Sequence, residues 1–217
     1  MNKEQILQRL LDPGLVAIIR ADSSEGVADA AAALLEGGID AIELTMTTPG
    51  ALGAVAEISR RFGDRVLIGI GSVTDVESAE RAIYAGALFV VTPVFRPKVV
   101  AACRRHGRPI ASGAYTPTEA LDAWEAGSDF VKIFPADSVG PGYIKALKAP
   151  LPQLRIIPTG GVNLKTVKEF LAAGCAALAV GSNLVSKEVL ARKDWKTLSE
   201  TAAAYVAAVR TARQELK

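Results

Sequence analysis

Lys132 and Glu43 are two charged side chains set against the apolar pattern around them. Lys132 stands in Phe-Val-Lys-Ile-Phe and Glu43 in Ala-Ile-Glu-Leu-Thr, runs with the length and composition of strands. An ammonium in such a run is expensive unless it has a partner. Desolvation disfavours its charged form, and repulsion from Arg20, which closes Ala-Ile-Ile-Arg, acts in the same direction. A neutral amine can attack a ketone and form a Schiff base. The competing reading is a lysine whose stem is covered while its head group reaches water. A carboxylate in an equally apolar strand can shuttle protons. Its alternative is a structural ion pair with Arg20 or Lys132, and the two roles are compatible.

The elements that position these residues follow from a repeated junction. An Ala-rich helical stretch ends in glycine and an apolar strand begins a few residues later, around Gly38, Gly86, Gly127 and Gly174. Glycine suits the position just past a helix C-terminus, where the chain turns left-handed. The roughly 40–50-residue interval fits two βα units, so further strands are expected between these glycines. They are read at Val16–Arg20, Val66–Ser72, Pro109–Ser112 and Arg155–Thr159, with helices such as Ser23–Glu36, Val76–Ala85 and Pro117–Ala126, the last behind an N-cap at Thr116. The sum is eight strands alternating with eight helices, closed by a long helix from about Trp195 to Glu215. Strict alternation implies a parallel sheet, and eight short units imply a (β/α)₈ barrel, the TIM barrel, as a single domain over residues 1–217. An open doubly wound sheet is the weaker choice, because Arg20-Ala21-Asp22 stands where a GxGxxG turn would follow the first strand.

Residues two apart share a face of a strand. Taking the face that ends each strand, the inward pairs are expected to be Ile18/Arg20, Glu43/Thr45, Ile70/Ser72, Val90/Thr92, Ile110/Ser112, Phe130/Lys132, Ile157/Thr159 and Val180/Ser182. The C-terminal face of a barrel is where its active site lies. Pro158-Thr159-Gly160-Gly161 follows the seventh strand and Gly181-Ser182-Asn183 the eighth, the two loops that in barrels commonly bind phosphate through exposed backbone N–H groups. Neither carries a cation before Lys165. Anion binding there is therefore expected to rest on neutral donors, with Ser182 beginning a helix whose N-terminus favours anions.

Composition excludes other classes. The 25 Lys+Arg against 23 Asp+Glu are nearly balanced and no long single-sign run occurs, which argues against nucleic-acid and membrane-surface partners. Cys103 and Cys175 form no CxxC pair and read as buried hydrophobes of a reducing compartment. His106, the single histidine, lies in the basic run Arg-Arg-His-Gly-Arg, so a zinc site of two or three His or Cys ligands has no material. The start, MNKEQILQRLLDPG, reads as a short amphipathic helix stopped by Pro13-Gly14. It lacks the apolar core of a signal peptide and no later stretch is apolar enough to span a bilayer, so a cytoplasmic protein is expected.

The motifs IELTMTTP, GIGSVTD, VTP, VKIFPAD, VGPGYIKALK, IIPTGGVNL and AVGSNLV, in this order, resemble those of the aldolases of 2-dehydro-3-deoxy-6-phosphogluconate and 4-hydroxy-2-oxoglutarate. The resemblance runs from the Ala-Ile-Ile-Arg strand to Ser182, and the galactonate-type relative shares the strand-one arginine and the GP-x-YIKALK helix. It implies that Lys132 forms a Schiff base with pyruvate and that Glu43 is the general acid–base. It also implies substrate contacts at Arg20, Ser72, Gly161 and Ser182, with Thr159 and Gly160 in the same loop. A homotrimer that needs no cofactor and no metal is implied as well. Two departures stand out. Met46-Thr47-Thr48 replaces a Leu-Arg-Thr whose arginine grips the pyruvate carboxylate in many members, and Ser72 replaces a threonine, keeping the hydroxyl without the stiffening β-branch.

The expected activity is a class I aldolase cleaving a phosphorylated 2-keto-3-deoxy sugar acid to pyruvate and glyceraldehyde 3-phosphate. Arg20 and Ser72 would hold the carboxylate end, and Gly160, Gly161 and Ser182 the phosphate end. The rivals are a phosphosugar isomerase or epimerase using Glu43 and Lys132 without a covalent step, and a non-catalytic trimeric scaffold.

Overall fold

Local signals set the elements before packing does. Asn2 and Gln5 cap the first helix reciprocally, Asp75 accepts from the N–H of Ser78, and Thr116 and Glu119 form a second capping box behind Pro117. Each satisfies backbone groups that a helix N-terminus leaves unpaired. Gly38, Gly86, Gly127 and Gly174 all take φ between 88° and 111°, ending the helices where the junctions require it.

The computed structural model describes residues 1–216. The order is α1 (Lys3–Leu11), β1 (Leu15–Ile19), α2 (Val27–Glu36), β2 (Ala41–Thr45), α3 (Ala51–Phe62), β3 (Leu67–Gly71), α4 (Val76–Tyr84) and β4 (Phe89–Val91). There follow α5 (Pro97–Arg105), β5 (Ile110–Ala114), α6 (Pro117–Glu125), β6 (Phe130–Ile133), α7 (Gly140–Lys148) and β7 (Ile156–Pro158). The chain ends with α8 (Val167–Ala172), β8 (Leu178–Val180), α9 (Lys187–Arg192) and α10 (Trp195–Glu215). The strands pair in parallel in the order β7-β6-β5-β4-β3-β2-β1-β8, and a single bridge, Thr159 to Ala179, joins β7 to β8. This is a (β/α)₈ TIM barrel with a helix ahead of it. Helix α2 starts four residues later than expected, behind Gly26 at φ 74°, so Ser23–Gly26 belongs to the loop after β1. The short α9 intervenes before α10, which packs against α2 and α8 and completes the ring.

Two cores share the sheet. Outward residues such as Ile19, Ile42, Ile68 and Val131 pack under the helices. The lumen is filled by Val16, Ile18, Leu67, Phe89, Phe130 and Ile157, with Ile6 and Leu10 of α1 plugging the N-terminal end. The expected inward faces hold for β1, β2, β6 and β7. In β3, β4, β5 and β8 the opposite face looks inward: Leu67, Phe89, Val91, Ala111 and Ala179 belong to the lumen, and Ile70, Val90, Ile110 and Val180 to the outer core. Strands buried on both faces carry apolar residues on both, so alternation does not mark the inner one. Ser112 is accordingly spent on a 2.6 Å hydrogen bond with Ser128, and Thr92 Oγ1 accepts from the N–H of Gly113 at 3.2 Å.

Candidate active site

The lysine and the glutamate meet inside the barrel. Lys132 on β6 and Glu43 on β2 are 7% and 2% exposed, and Nζ lies 3.8 Å from Oε1. That is a charge contact too long for a hydrogen bond, so each head group keeps capacity for a third partner. The inner cavity they share is lined below by Phe89, Val91, Ala111, Phe130 and Ile157. Its apolar floor strengthens electrostatic contacts and disfavours any charge left unpaired. Lys132 Nζ also stands 5.2 Å from the centroid of the Phe134 ring, a cation–π distance.

Glycines give the carboxylate its room. Glu43 sits opposite Gly69 in the β2–β3 register, and a methyl group at Gly71 would lie 1.8 Å from Glu43 Oε1 and 2.5 Å from its Cδ. Across the barrel, Lys132 pairs with Gly113 of β5 and Ile157 of β7.

An outer pocket opens above, lined by Arg20, Phe134, Thr159, Gly160, Gly161, Ser182 and Lys187. Thr159 lines both cavities, and its buried Oγ1 has no hydrogen-bond partner. A buried hydroxyl without a partner carries a desolvation penalty that a bound group can relieve. The loop after β7 is held by its carbonyls: Asn163 Nδ2 and Thr166 Oγ1 donate to Gly161 O at 3.0 and 2.9 Å. Asn183 Nδ2 donates to Val162 O at 2.9 Å, bolting the two loops together. Gly160 and Gly161 take φ of 96° and 70°, a region costly for other residues.

Three expectations change here. Arg20 lies just past the end of β1, exposed, and lines the outer pocket with the glycine loops rather than the inner cavity with Lys132. Ser182 does not begin a helix: the N–H groups of Leu184 and Val185 close a single turn on Gly181 O at 2.9 Å, and α9 starts at Lys187 behind the cap Ser186. The pocket is also not built from neutral donors alone, since Arg20 and Lys187 both reach it. Ser72, half-buried with φ 59°, lines neither cavity. Phe134 and Lys187 escaped the sequence reading. Phe134 was accessible to it, being two residues beyond Lys132 on the same strand face. Lys187 gave no signal, because its approach depends on the turn that Leu184 and Val185 close on Gly181 O.

The arrangement suits imine chemistry on a ketone whose far end carries an anion. Sequence comparison decides the family: the profile of the KDPG and KHG aldolases matches residues 6–201. The chain belongs to this aldolase family. It is a carbon–carbon lyase, and its reaction is of the class I, Schiff-base type. Among the aldolase's relatives, the 2-dehydro-3-deoxy-6-phosphogalactonate aldolase of Escherichia coli is 34% identical over 92% of this chain and 96% of its own length. The 2-dehydro-3-deoxy-phosphogluconate aldolase of Treponema pallidum is 37% identical over 85% and 88%. The KDPG aldolase of Legionella pneumophila, solved with pyruvate captured as a covalent carbinolamine, superposes with a TM-score of 0.86 at 28% identity, covering 92% of this chain and 97% of that one.

Proposed function

We propose that this aldolase reversibly cleaves 2-dehydro-3-deoxy-6-phosphogluconate or its galactonate epimer to pyruvate and glyceraldehyde 3-phosphate. The observation that carries the reading is the buried amine 3.8 Å from a buried carboxylate, under a pocket lined by two cations and two glycine-bearing loops. Lys132 Nζ attacks the C2 carbonyl, water leaves, and an iminium forms. Glu43, directly or through water, takes the proton of the C4 hydroxyl. The C3–C4 bond then breaks, its electron pair enters the enamine, and the aldehyde departs. Protonation of the enamine at C3 by the same carboxylic acid and hydrolysis of the imine return the lysine.

Thr159 Oγ1, lacking a partner of its own, donates to a substrate oxygen between the two cavities. Gly160, Gly161 and Ser182 take the phosphate. Arg20 is assigned to that end as well, because it shares their pocket and not that of Lys132. Ser72, half-buried just past β3, keeps the substrate contact that the family resemblance implies for it. The reading includes a homotrimer that needs no cofactor, as the family resemblance implies, and a cytoplasmic location, as the sequence pattern leads us to expect; no helix among the described residues is long and apolar enough to cross a membrane.

Borohydride reduction in the presence of pyruvate, followed by mass spectrometry, tests the central step. One reduced pyruvyl group is expected, on Lys132, and none after Lys132→Arg. Labelling of Lys145 or Lys148 on α7 instead would overturn the assignment, and no labelling at all would favour an acid–base isomerase.

A further inference from the structure

Lys187 is the first residue of α9, and its ammonium lies 3.1 and 3.3 Å from the two carboxylate oxygens of Asp22. Asp22 belongs to the loop after β1, two residues beyond Arg20. The same loop is tied to the end of α9 a second time, by Lys193 Nζ to Glu25 Oε1 at 2.7 Å. Arg20 and Lys187 line the outer pocket and also the adjoining hollow between this loop and α9, where Asp22 lies. Two cations carried by different elements therefore flank one cavity, whose other polar walls are glycine backbone, Thr159, Ser182 and Asn183.

We propose that Lys187 is a specificity-determining residue that exchanges Asp22 for the substrate's phosphate, so that this aldolase prefers a phosphorylated substrate. The inference rests on the reading that the substrate carries a phosphate at its far end. The Lys187 and Asp22 side chains are 74% and 85% exposed, and an ion pair so exposed holds weakly. A phosphate monoester brings close to two negative charges and three strong acceptor oxygens. Arg20 offers it a planar fork and Lys187 a mobile point charge. Asp22 has a second effect: as an anion at the rim it opposes any negative group that enters. An uncharged aldehyde end has nothing with which to draw Lys187 away, whereas a phosphate does.

The test compares steady-state cleavage of 2-dehydro-3-deoxy-6-phosphogluconate (or its galactonate epimer) with that of the same sugar acid without its phosphate, whose far end is a neutral hydroxyl. Lys187→Ala is expected to raise KM for the phosphorylated substrate about tenfold to a hundredfold, the range for losing a hydrogen bond to a charged group. Its kcat, its action on the unphosphorylated sugar acid and its pyruvate trapping should stay as in the wild type. Lys187→Arg should keep most of the affinity, and Asp22→Asn should lower KM for the phosphorylated substrate by removing the competing anion. An unchanged KM in Lys187→Ala would overturn the proposal, as would an equal loss on both substrates. So would Asp22→Asn raising KM as Lys187→Ala does, since the ion pair would then be a staple for the loop. If the wild type itself showed no preference for phosphate, the substrate reading would fall with the inference. If it showed one and Lys187→Ala kept it, the inference alone would fall.

Discussion

Replacing Gly71 by alanine puts a methyl group where the Glu43 carboxylate now lies. The added carbon would stand 1.8 Å from Oε1, 2.5 Å from Cδ and 2.8 Å from Cγ. Ordinary contacts between such atoms are about 3.5 Å, so the carboxylate has to retreat by roughly 1.5 Å. The clash is with the movable end of a side chain, so the fold should survive at a cost of about 1–3 kcal/mol, as for other overpacked cores. Chemistry should suffer more. A misplacement of about 1 Å can cost on the order of 10²-fold in rate, and here it falls on the group proposed to move the proton. The assay is exchange of the pyruvate methyl protons in deuterated water, followed by proton NMR, which needs imine and enamine but no aldehyde. Exchange is expected to drop by about 10²-fold while borohydride still traps pyruvate on Lys132. Shortening the acid should compensate: Glu43→Asp withdraws the carboxylate by about one carbon–carbon bond, roughly 1.5 Å. The double variant Gly71→Ala/Glu43→Asp should therefore exchange faster than Gly71→Ala alone, a coupling that a double-mutant cycle measures. Wild-type exchange in Gly71→Ala, or a double variant no faster than the single one, would refute the idea that Gly71 sets the position of a working carboxylate.

Glu43→Gln should still form the imine but slow the same exchange by about 10²–10⁴-fold; near-wild-type exchange would remove Glu43 from the mechanism. Ser72→Gly should stabilise the protein by about 1 kcal/mol, because φ 59° strains any residue with a Cβ. A lower urea midpoint would show that the serine side chain makes contacts worth more than the strain. Burial pushes the thiols of Cys103 and Cys175 up to about 12, so at pH 8 about one in 10⁴ is ionised and available to an alkylating reagent. Maleimide should modify both only on unfolding, and prompt labelling of native protein would show that these sites open.

Lys132 and Glu43 were legible because a charge in an apolar strand contradicts its surroundings, and the loops after β7 and β8 because glycines cluster there in register with the barrel. The phase of β3, β4, β5 and β8 was not legible. Ile70 and Leu67, or Val90 and Phe89, are equally apolar, and a barrel strand hides both faces. The inward positions nearest the mouth, Gly69, Gly71 and Gly113, carry no side chain for a pattern to register. Lys187 was hidden for another reason. Four residues separate it from Ser182, and the turn closed on Gly181 brings it to the pocket. Long-range closure of that kind has no local periodicity.

Helix α1 makes the lumen a blind shaft. With Ile6 and Leu10 packed into the N-terminal end and Leu10 forming part of the floor beneath Lys132, traffic passes through the mouth between the strand C-termini. A narrow shaft with its nucleophile near the bottom imposes a queue. In the proposed cleavage the fragment bonded to Lys132 would lie deeper than the aldehyde fragment, so the aldehyde would leave first and pyruvate last. In the synthetic direction the order reverses: the keto acid has to descend before the aldehyde seats itself above. On the proposed reaction, an aldehyde that arrives early would stand in the doorway and delay the keto acid, a substrate inhibition expected from the position of the plug at the opposite end of the barrel.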